Sequence, residues 1–291
     1  MKSLKDRAEL IKKIRHFFDE QGVVEVQTPK LLDAPTSDTY IDSITMQVNK
    51  DIDQKTKYLH TSPELEMKKL LAQGSGDIYQ ICSVFRDNEQ GFQNFNEFTM
   101  LEYYRLDFDL HQLMNDVVKL LNVLGVQGQV SQLSYAQAFS KYGDIDILNT
   151  DFDALKKIAS THGLTIDFEW IEDLQILLFT HLIEPKLEAL PICFIYDYPA
   201  SQSALSTVEG QVAHRFELYL SGVEVANGYD ELQDAQSYEK IFKRENNKRK
   251  QLKKTFFDPD LDFVLQLKEG LPQCSGVAIG IDRLISQIRL K

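Results

Sequence analysis

Residues 85–104, FRDNEQGFQNFNEFTMLEYY, run from an arginine through a polar, turn-rich stretch into a strand-like end. Alternation along that end sets Phe98, Met100, Glu102 and Tyr104 on one face and Thr99, Leu101 and Tyr103 on the other. The second set is ordinary core. The first contains a carboxylate that a core does not tolerate without a partner. Arg86 on entry, acidic and aromatic groups on exit and a loop between them are the ingredients of a ligand site. A structural salt bridge is the competing reading of Glu102.

A second segment, RFELYLSGVEVANGYDELQDA (215–235), reads as a hairpin with Glu217 and Glu224 on its arms and Asn227 and Glu231 just beyond. Glu224 and Asn227 are three apart, so a regular strand points them to opposite faces, and Gly228 allows a bulge or strand end that re-aims Asn227. Two carboxylates on neighbouring strands repel unless a cation lies between them. Magnesium, with its oxygen ligands and its partnership with nucleotide phosphates, fits that place. Exposed acidic hairpin residues are the alternative. In a third segment, CSGVAIGIDRL (274–284), Gly276, Ala278 and Gly280 leave one strand face nearly bare, for a flat ligand or for a closely packed helix. Arg283, one helical turn on, is placed to cover a flat ligand by cation–π stacking.

The elements that position these groups follow from periodicity. Leu10, Ile11, Ile14, Phe17 and Phe18 predict a helix over 4–21 that Gly22 stops. VVEV is a short strand closed by Pro29. A helix begins at Ser62-Pro63 and runs over 62–73. Strands are expected at 78–86 and 97–104, and helices at 110–124, 152–161 and 170–190. Strands return at 192–198, 215–221, 222–227 and 276–280, the last leading into a short helix. Hairpin-bunched strands between long helices predict an α+β fold with a mostly antiparallel sheet flanked by helices, as a single domain over 1–291.

Composition narrows the class. The 291 residues are 43% hydrophobic and 26% charged, enough for a core and too ordered in pattern for a disordered chain. No apolar run approaches the ~20 residues of a membrane span, and the N-terminus carries no signal-like segment. Cys82, Cys193 and Cys274 are odd in number and far apart, and the six histidines are scattered, so a reducing, cytoplasmic setting without structural zinc is expected. A formal charge of −12 disfavours broad nucleic-acid binding. Against that balance, KIFKRENNKRKQLKK (240–254) holds eight basic residues and one acidic. It reads as a solvated helix or as a docking surface for an acidic macromolecule.

Together the segments resemble the three motifs of the class II aminoacyl-tRNA synthetase catalytic domain, in its lysine-type branch. The first helix ending in EVQTP is similar to motif 1, whose Pro29 marks a homodimer interface in that family; Arg86 to Tyr104 resembles motif 2, and GIDR (280–283) resembles motif 3. TSPE (61–64) and GVEVANGYDEL (222–232) add to the likeness, which spans nearly the whole chain. Motif 1 starts almost at residue 1, so no anticodon-reading domain is expected. In this the chain is similar to the family's stand-alone members, the elongation factor P–(R)-β-lysine ligases, which lysylate a protein. YPASQSAL (198–205), Ser62 and Ala278 follow those members. Ser62 and Ala278 would line the amino-acid pocket, where methyl-sized differences discriminate by about 1–3 kcal/mol.

The resemblance implies roles residue by residue. Arg86 would hold the α-phosphate of ATP and the substrate carboxylate, with Phe98 and Arg283 sandwiching the adenine and Gly280 beneath it. Glu217 and Glu224 would hold Mg2+. Glu64, Glu102, Tyr104, Asn227 and Glu231 would surround the amino groups of a lysine-like substrate. The loop departs from the family's pattern. Arg86-Asp87-Asn88 replaces Arg-x-Glu, Phe92 and Asn94 stand where a basic residue and a histidine usually reach the outer phosphates, and Phe95-Asn96 replaces Asn-Pro. Asn88 would accept from the adenine amino group and Asn94 would donate to a phosphate. The implied activity is activation of (R)-β-lysine or lysine as an aminoacyl-adenylate and its transfer to elongation factor P. The alternatives are the same chemistry for another amino acid or acceptor, or a catalytically weak regulatory paralogue.

Overall fold

The computed structural model describes residues 4–36, 38–49, 52–89, 95–257 and 260–288. The chain opens with α1 (Leu4–Asp19), which buries Leu10, Ile14, Phe17 and Phe18 along one stripe. Gly22, at a φ of +69°, turns it into β1 (Val24–Glu25). Three short strands, β2 (Leu31–Leu32), β3 (Thr45–Val48) and β4 (Lys55–Leu59), form a separate sheet in the order β2-β4-β3. After α2 (Glu64–Ala72) come β5 (Ile78–Phe85) and β6 (Glu97–Leu106), the two arms of the opening segment. Asp109 and Gln112 form a reciprocal capping box at the start of α3 (Leu110–Val123). Then follow β7 (Val130–Ser134), α4 (Tyr135–Gly143), α5 (Phe152–Thr161) and α6 (Ile171–Leu178).

The helix expected over 170–190 is not uniform. It widens into a π-turn at Phe179–Ile183 before α7 (Glu184–Leu187). Pro185 has no N–H to donate to the preceding turn, which is the reason for the local change of pitch. The chain continues through β8 (Ile192–Pro199), β9 (Val208–Glu209), β10 (Val212–Leu220), β11 (Val223–Asp230), α8 (Ala235–Gln251), α9 (Leu261–Gln266), β12 (Cys274–Gly280) and α10 (Ile281–Gln287).

The main sheet runs β1-β5-β6-β12-β11-β10-β8-β7, with β9 beside β10. Only its ends, β1 with β5 and β7 with β8, pair in parallel; every pairing between them is antiparallel. This is the α+β, mostly antiparallel architecture expected from the sequence. One face packs Leu101, Tyr103, Leu218 and Ile279 against α1 and α3. The other face carries α2, α8 and α9 over one half, in a cluster that includes Tyr104, Tyr238 and Phe263. Between these layers the central strands stay open. No helix among the described residues is long and apolar enough to cross a membrane, and Cys82, Cys193 and Cys274 are buried and unpaired.

The basic stretch 240–254 is not simply a solvated helix. Arg249 is 1% exposed and donates to the carbonyls of Asp38, Ile41 and Thr255 and to the Asp42 carboxylate at 2.8 Å. Lys254 reaches the same carboxylate, and Lys248 pairs with Glu172. Half of the stretch therefore points inward and fastens residues 38–42 across the sheet. Lys240, Lys243, Lys250 and Lys253 remain exposed.

Candidate active site

A cavity of about 400 Å³ opens over β6, β11 and β12, between the N-terminus of α2, α8 and a strap that includes Thr36, Asp38, Tyr40 and Ile41. The alternation read in β6 holds. Phe98, Met100, Glu102 and Tyr104 all line the cavity, while Leu101 and Tyr103 enter the core. Antiparallel pairing of β6 with β12 sets Glu102 opposite Ala278 and Tyr104 opposite Gly276.

The hairpin of β10 and β11 brings Glu224 and Asn227 to one face by a different device from the expected one. The register slips between Leu218 and Tyr219, which pair with Ala226 and Glu224 and leave Val225 extra. Gly228 stays in register opposite Phe216, and a Cβ there would lie 2.5 Å from the Phe216 ring. The glycine serves close packing, and the bulge at Val225 re-aims the polar groups.

At the closed end of the cavity, three carboxylates converge. Glu102 is 2% exposed and accepts from Ser62 Oγ and Tyr104 Oη, each at 2.6 Å. Ser62 Oγ in turn accepts from the Glu64 backbone N–H at 3.0 Å, so Ser62 ties the start of α2 to β6. Burial, with the charge of Glu64 beside it, pushes the Glu102 carboxyl up to about 7. Burial also raises Glu231, against the opposing pull of Lys68. Asn227 Oδ1 is buried with no hydrogen-bond partner, an acceptor left for a donor from the cavity.

Two charged residues that sequence reasoning did not single out support the site: Arg215 lines the cavity, and Lys68 lies behind its wall. Lys68 bridges Glu64 and Glu231 at 2.6 Å each. Its spacing of four from Glu64 on a helix was the available signal. Arg215 stacks 4.4 Å from the Tyr198 ring centroid, donates to Glu217 at 2.7 Å and donates to the Gln202 carbonyl. It lies two residues before Glu217 on the same strand face.

The other end is looser. Arg86 lies over the Phe98 ring at 5.2 Å and donates to the Thr61 carbonyl at 3.4 Å. Its own N–H bonds the Asn96 carbonyl and closes the base of the loop. Arg283 meets Glu224 at 3.4 Å, with 37% of its side chain accessible. Asp282 beside it is held by Arg7 of α1 at 2.6 Å and by the Thr99 N–H at 2.7 Å, which anchors α10 against β6. Arg86, Phe98, Glu224, Gly280 and Arg283 all line the cavity.

Glu217 does not line the cavity. It stands beside Glu224's end of the hairpin, held by Arg215 and by Tyr219 Oη at 2.7 Å. Partial burial, and next the charge of Glu217, raise the Glu224 carboxyl to about 7. A divalent cation beside both would relieve that repulsion. No group of three or more His, Cys, Asp and Glu able to hold a metal occurs among the described residues. Two carboxylates without a full protein cage suit magnesium shared with phosphate oxygens and water, so the residues fit the metal expected from the sequence.

Asn88 is not brought to the cavity. It is exposed at a φ of +59°, where asparagine is tolerated, and its amide donates to Asp42 at 3.4 Å. Asp42 also bridges the Asp87 backbone and receives Arg249, so the first turn of the loop is tied to the strap. Phe92 and Asn94 lie outside the described residues.

The small-residue stripe of β12 has two explanations. A Cβ at Gly276 would fall 2.4 Å from the Tyr104 ring and 2.6 Å from Glu231 Oε1, so packing requires the bare position. At Gly280 a Cβ would meet nothing nearer than 3.8 Å, and the space there is free for a flat ligand.

The sequence profile of the class II tRNA synthetases (D, K and N) matches residues 1–289. The chain is 41% identical over 290 residues to the elongation factor P–(R)-β-lysine ligase of Vibrio cholerae, covering 97% of this chain and 90% of that one. It is 42% identical over 292 residues to the ligase of that name from Proteus mirabilis, with the same coverage. The Haemophilus ducreyi ligase is 37% identical over 291 residues, covering 98% of this chain and 89% of that one.

Proposed function

Because the chain belongs to the class II tRNA synthetases (D, K and N), and within them to the elongation factor P–(R)-β-lysine ligases, we propose that it activates (R)-β-lysine with ATP and transfers it to a lysine side chain of elongation factor P. The observation that carries this reading is the polarity of the cavity. Three carboxylates crowd one end, and Arg86 and Arg283 stand at the other. A molecule with two ammonium groups and a carboxylate fits that polarity, with its carboxylate directed to Arg86.

In the first step a substrate carboxylate oxygen bonds to the α-phosphorus of ATP as the bond to the β-phosphate oxygen breaks, and pyrophosphate leaves. The carboxylate is already ionised, so no general base is needed. Arg86 neutralises charge building on the α-phosphate, and the pocket holds the attacking oxygen in line. Phe98 and Arg283 offer faces for the adenine. Glu217 and Glu224 are the pair that would hold Mg2+, which when bound supplies positive charge to the phosphates. In the second step the acceptor amine attacks the adenylate carbonyl, loses a proton and displaces AMP.

The reading places the protein in the cytoplasm, where its protein acceptor is found. Val24 and Leu31, exposed apolar side chains on either side of Pro29, support a homodimer across this edge. ATP–pyrophosphate exchange with (R)-β-lysine, with α-lysine and with no amino acid tests the activity. Exchange strongest with (R)-β-lysine is the expected result. No exchange with any lysine, from folded protein, would overturn it.

A further inference from the structure

Lys68 has no solvent contact, yet it carries a charge. Its Nζ lies 2.6 Å from Glu64 Oε1 and 2.6 Å from Glu231 Oε2, and 5.3 Å from the centroid of the Tyr238 ring. An exposed lysine four residues from a glutamate adds only about 0.2–0.5 kcal/mol to a helix. Full burial of an ammonium carries a desolvation cost far beyond that, and helix stability alone does not account for it. Glu64 and Glu231 also come from distant elements, α2 and the end of β11, and both line the cavity.

We propose that Lys68 is a specificity-determining positioning residue: a resident ammonium that orients Glu64 and Glu231 toward the cavity and sets the pocket's charge for a substrate with two ammonium groups. The inference rests on the reading that the cavity takes a diamino acid. With a dication bound, the three carboxyl groups of Glu64, Glu102 and Glu231 face three ammoniums, Lys68 and the substrate's two, and the charges balance when all three are ionised. A monoamino acid would leave one of these charges buried and unpaired, and the pocket would reject it for that reason.

The groups facing this centre come from every element around it. They are Glu64 on its own helix, Glu102 and Tyr104 from β6, Glu231 after β11, Tyr238 from α8 and Cys274 at the start of β12. Burial works against the Lys68 charge, and Glu231 and Glu64 more than offset it, so the ammonium stays protonated. In return Lys68 is the strongest influence lowering Glu231. Removing Lys68 therefore lets the pocket carboxyls take up protons at higher pH and weakens binding of a dication.

The test compares wild type, Lys68→Met and Lys68→Arg by pyrophosphate exchange with (R)-β-lysine from pH 6 to pH 9. For Lys68→Met the KM for the amino acid should rise about 10- to 100-fold at pH 7, with the KM for ATP within about twofold. The midpoint of its kcat/KM profile for the amino acid should move up by a pH unit or more, while Lys68→Arg keeps the wild-type midpoint. An unmoved midpoint in folded Lys68→Met, or equal changes in both KM values, would overturn the proposal and leave a structural lysine. Should Lys68→Met not fold, the Lys68→Met/Glu231→Gln variant removes the unpaired charge. Its amino-acid KM should exceed that of Glu231→Gln alone, and equal KM values in the two would refute the inference. If wild type itself exchanges no pyrophosphate, the ligase reading fails separately. Calorimetric titration with lysine then decides the role of Lys68, since equal affinities of wild type and Lys68→Met would refute it.

Discussion

At the amino-acid end of the cavity, Glu102 is 2% exposed and both its oxygens are engaged at 2.6 Å. At the nucleotide end, Glu224 leaves 40% of its side chain accessible and meets Arg283 only at 3.4 Å. The first set of groups is locked before any ligand arrives: Ser62, Tyr104 and Lys68 hold three carboxylates in place. The second set is held by longer contacts: Arg283 meets the Glu224 carbonyl at 3.2 Å and its carboxylate at 3.4 Å, and Arg86 reaches the Thr61 carbonyl at 3.4 Å. Selectivity for a small dication needs preorganised acceptors, because misplaced buried carboxylates would favour protonation over binding. Phosphate binding tolerates looser groups, because the ligand brings charge enough to gather them.

The largest expected effect breaks the nucleotide end. Arg86→Ala should lower pyrophosphate exchange by about 10³-fold, the loss typical of a removed charge-stabilising donor. The melting temperature should stay near wild type, because the backbone bond of Arg86 to Asn96 is kept and its side-chain bond to the Thr61 carbonyl is long, at 3.4 Å. Retained exchange in this variant would mean that the polarity of the cavity has been assigned the wrong way round.

A more selective effect sharpens the amino-acid end. Glu102→Gln removes a charge that faces the substrate and weakens the acceptor shared by Ser62 and Tyr104. The KM for the amino acid should rise about 10- to 100-fold, from a loss of about 1.5–3 kcal/mol, with the KM for ATP unchanged. The same group gives a pH signature. Glu102 is raised to about 7 by burial and by Glu64, so it becomes protonated as pH falls through neutrality. A protonated Glu102 attracts an ammonium poorly. In wild type, kcat/KM for the amino acid should therefore climb between pH 6 and pH 8, and Glu102→Gln should flatten that limb. A limb unchanged by the substitution would assign it to another group.

The parts of the site visible in the sequence are those carried by local period. Strand alternation alone places Phe98, Met100, Glu102 and Tyr104 on the cavity face. What stayed hidden depends on partners far along the chain. Lys68 looks like one more helix lysine until Glu231 folds against it, and Arg249 looks like part of a charge run until Asp42 and three carbonyls enclose it. The bulge at Val225 is invisible because bulges follow from register with neighbouring strands, and Gly228 drew attention for a reason that proved to be packing. The sheet of β2, β3 and β4 escaped notice because strands of two to five residues show too few alternations to register.

The smallest effect tests the comparison within a single strand. Gly276 and Gly280 are four residues apart on one face of β12, so propensity and exposure to the strand's own backbone are nearly matched. At Gly276 an added methyl would strike the Tyr104 ring and Glu231 Oε1, both held in the preorganised network. Gly276→Ala should lower stability by about 1–3 kcal/mol, as overpacking does, and should raise the KM for the amino acid, because Tyr104 and Glu231 must shift. At Gly280 the same methyl meets only ordinary contacts. Gly280→Ala should melt with wild type and change only the KM for ATP, within about tenfold. Denaturant unfolding and steady-state exchange on the two variants read both quantities. Equal destabilisation would show the nucleotide end to be as tightly packed as the amino-acid end, and the contrast between them would fail.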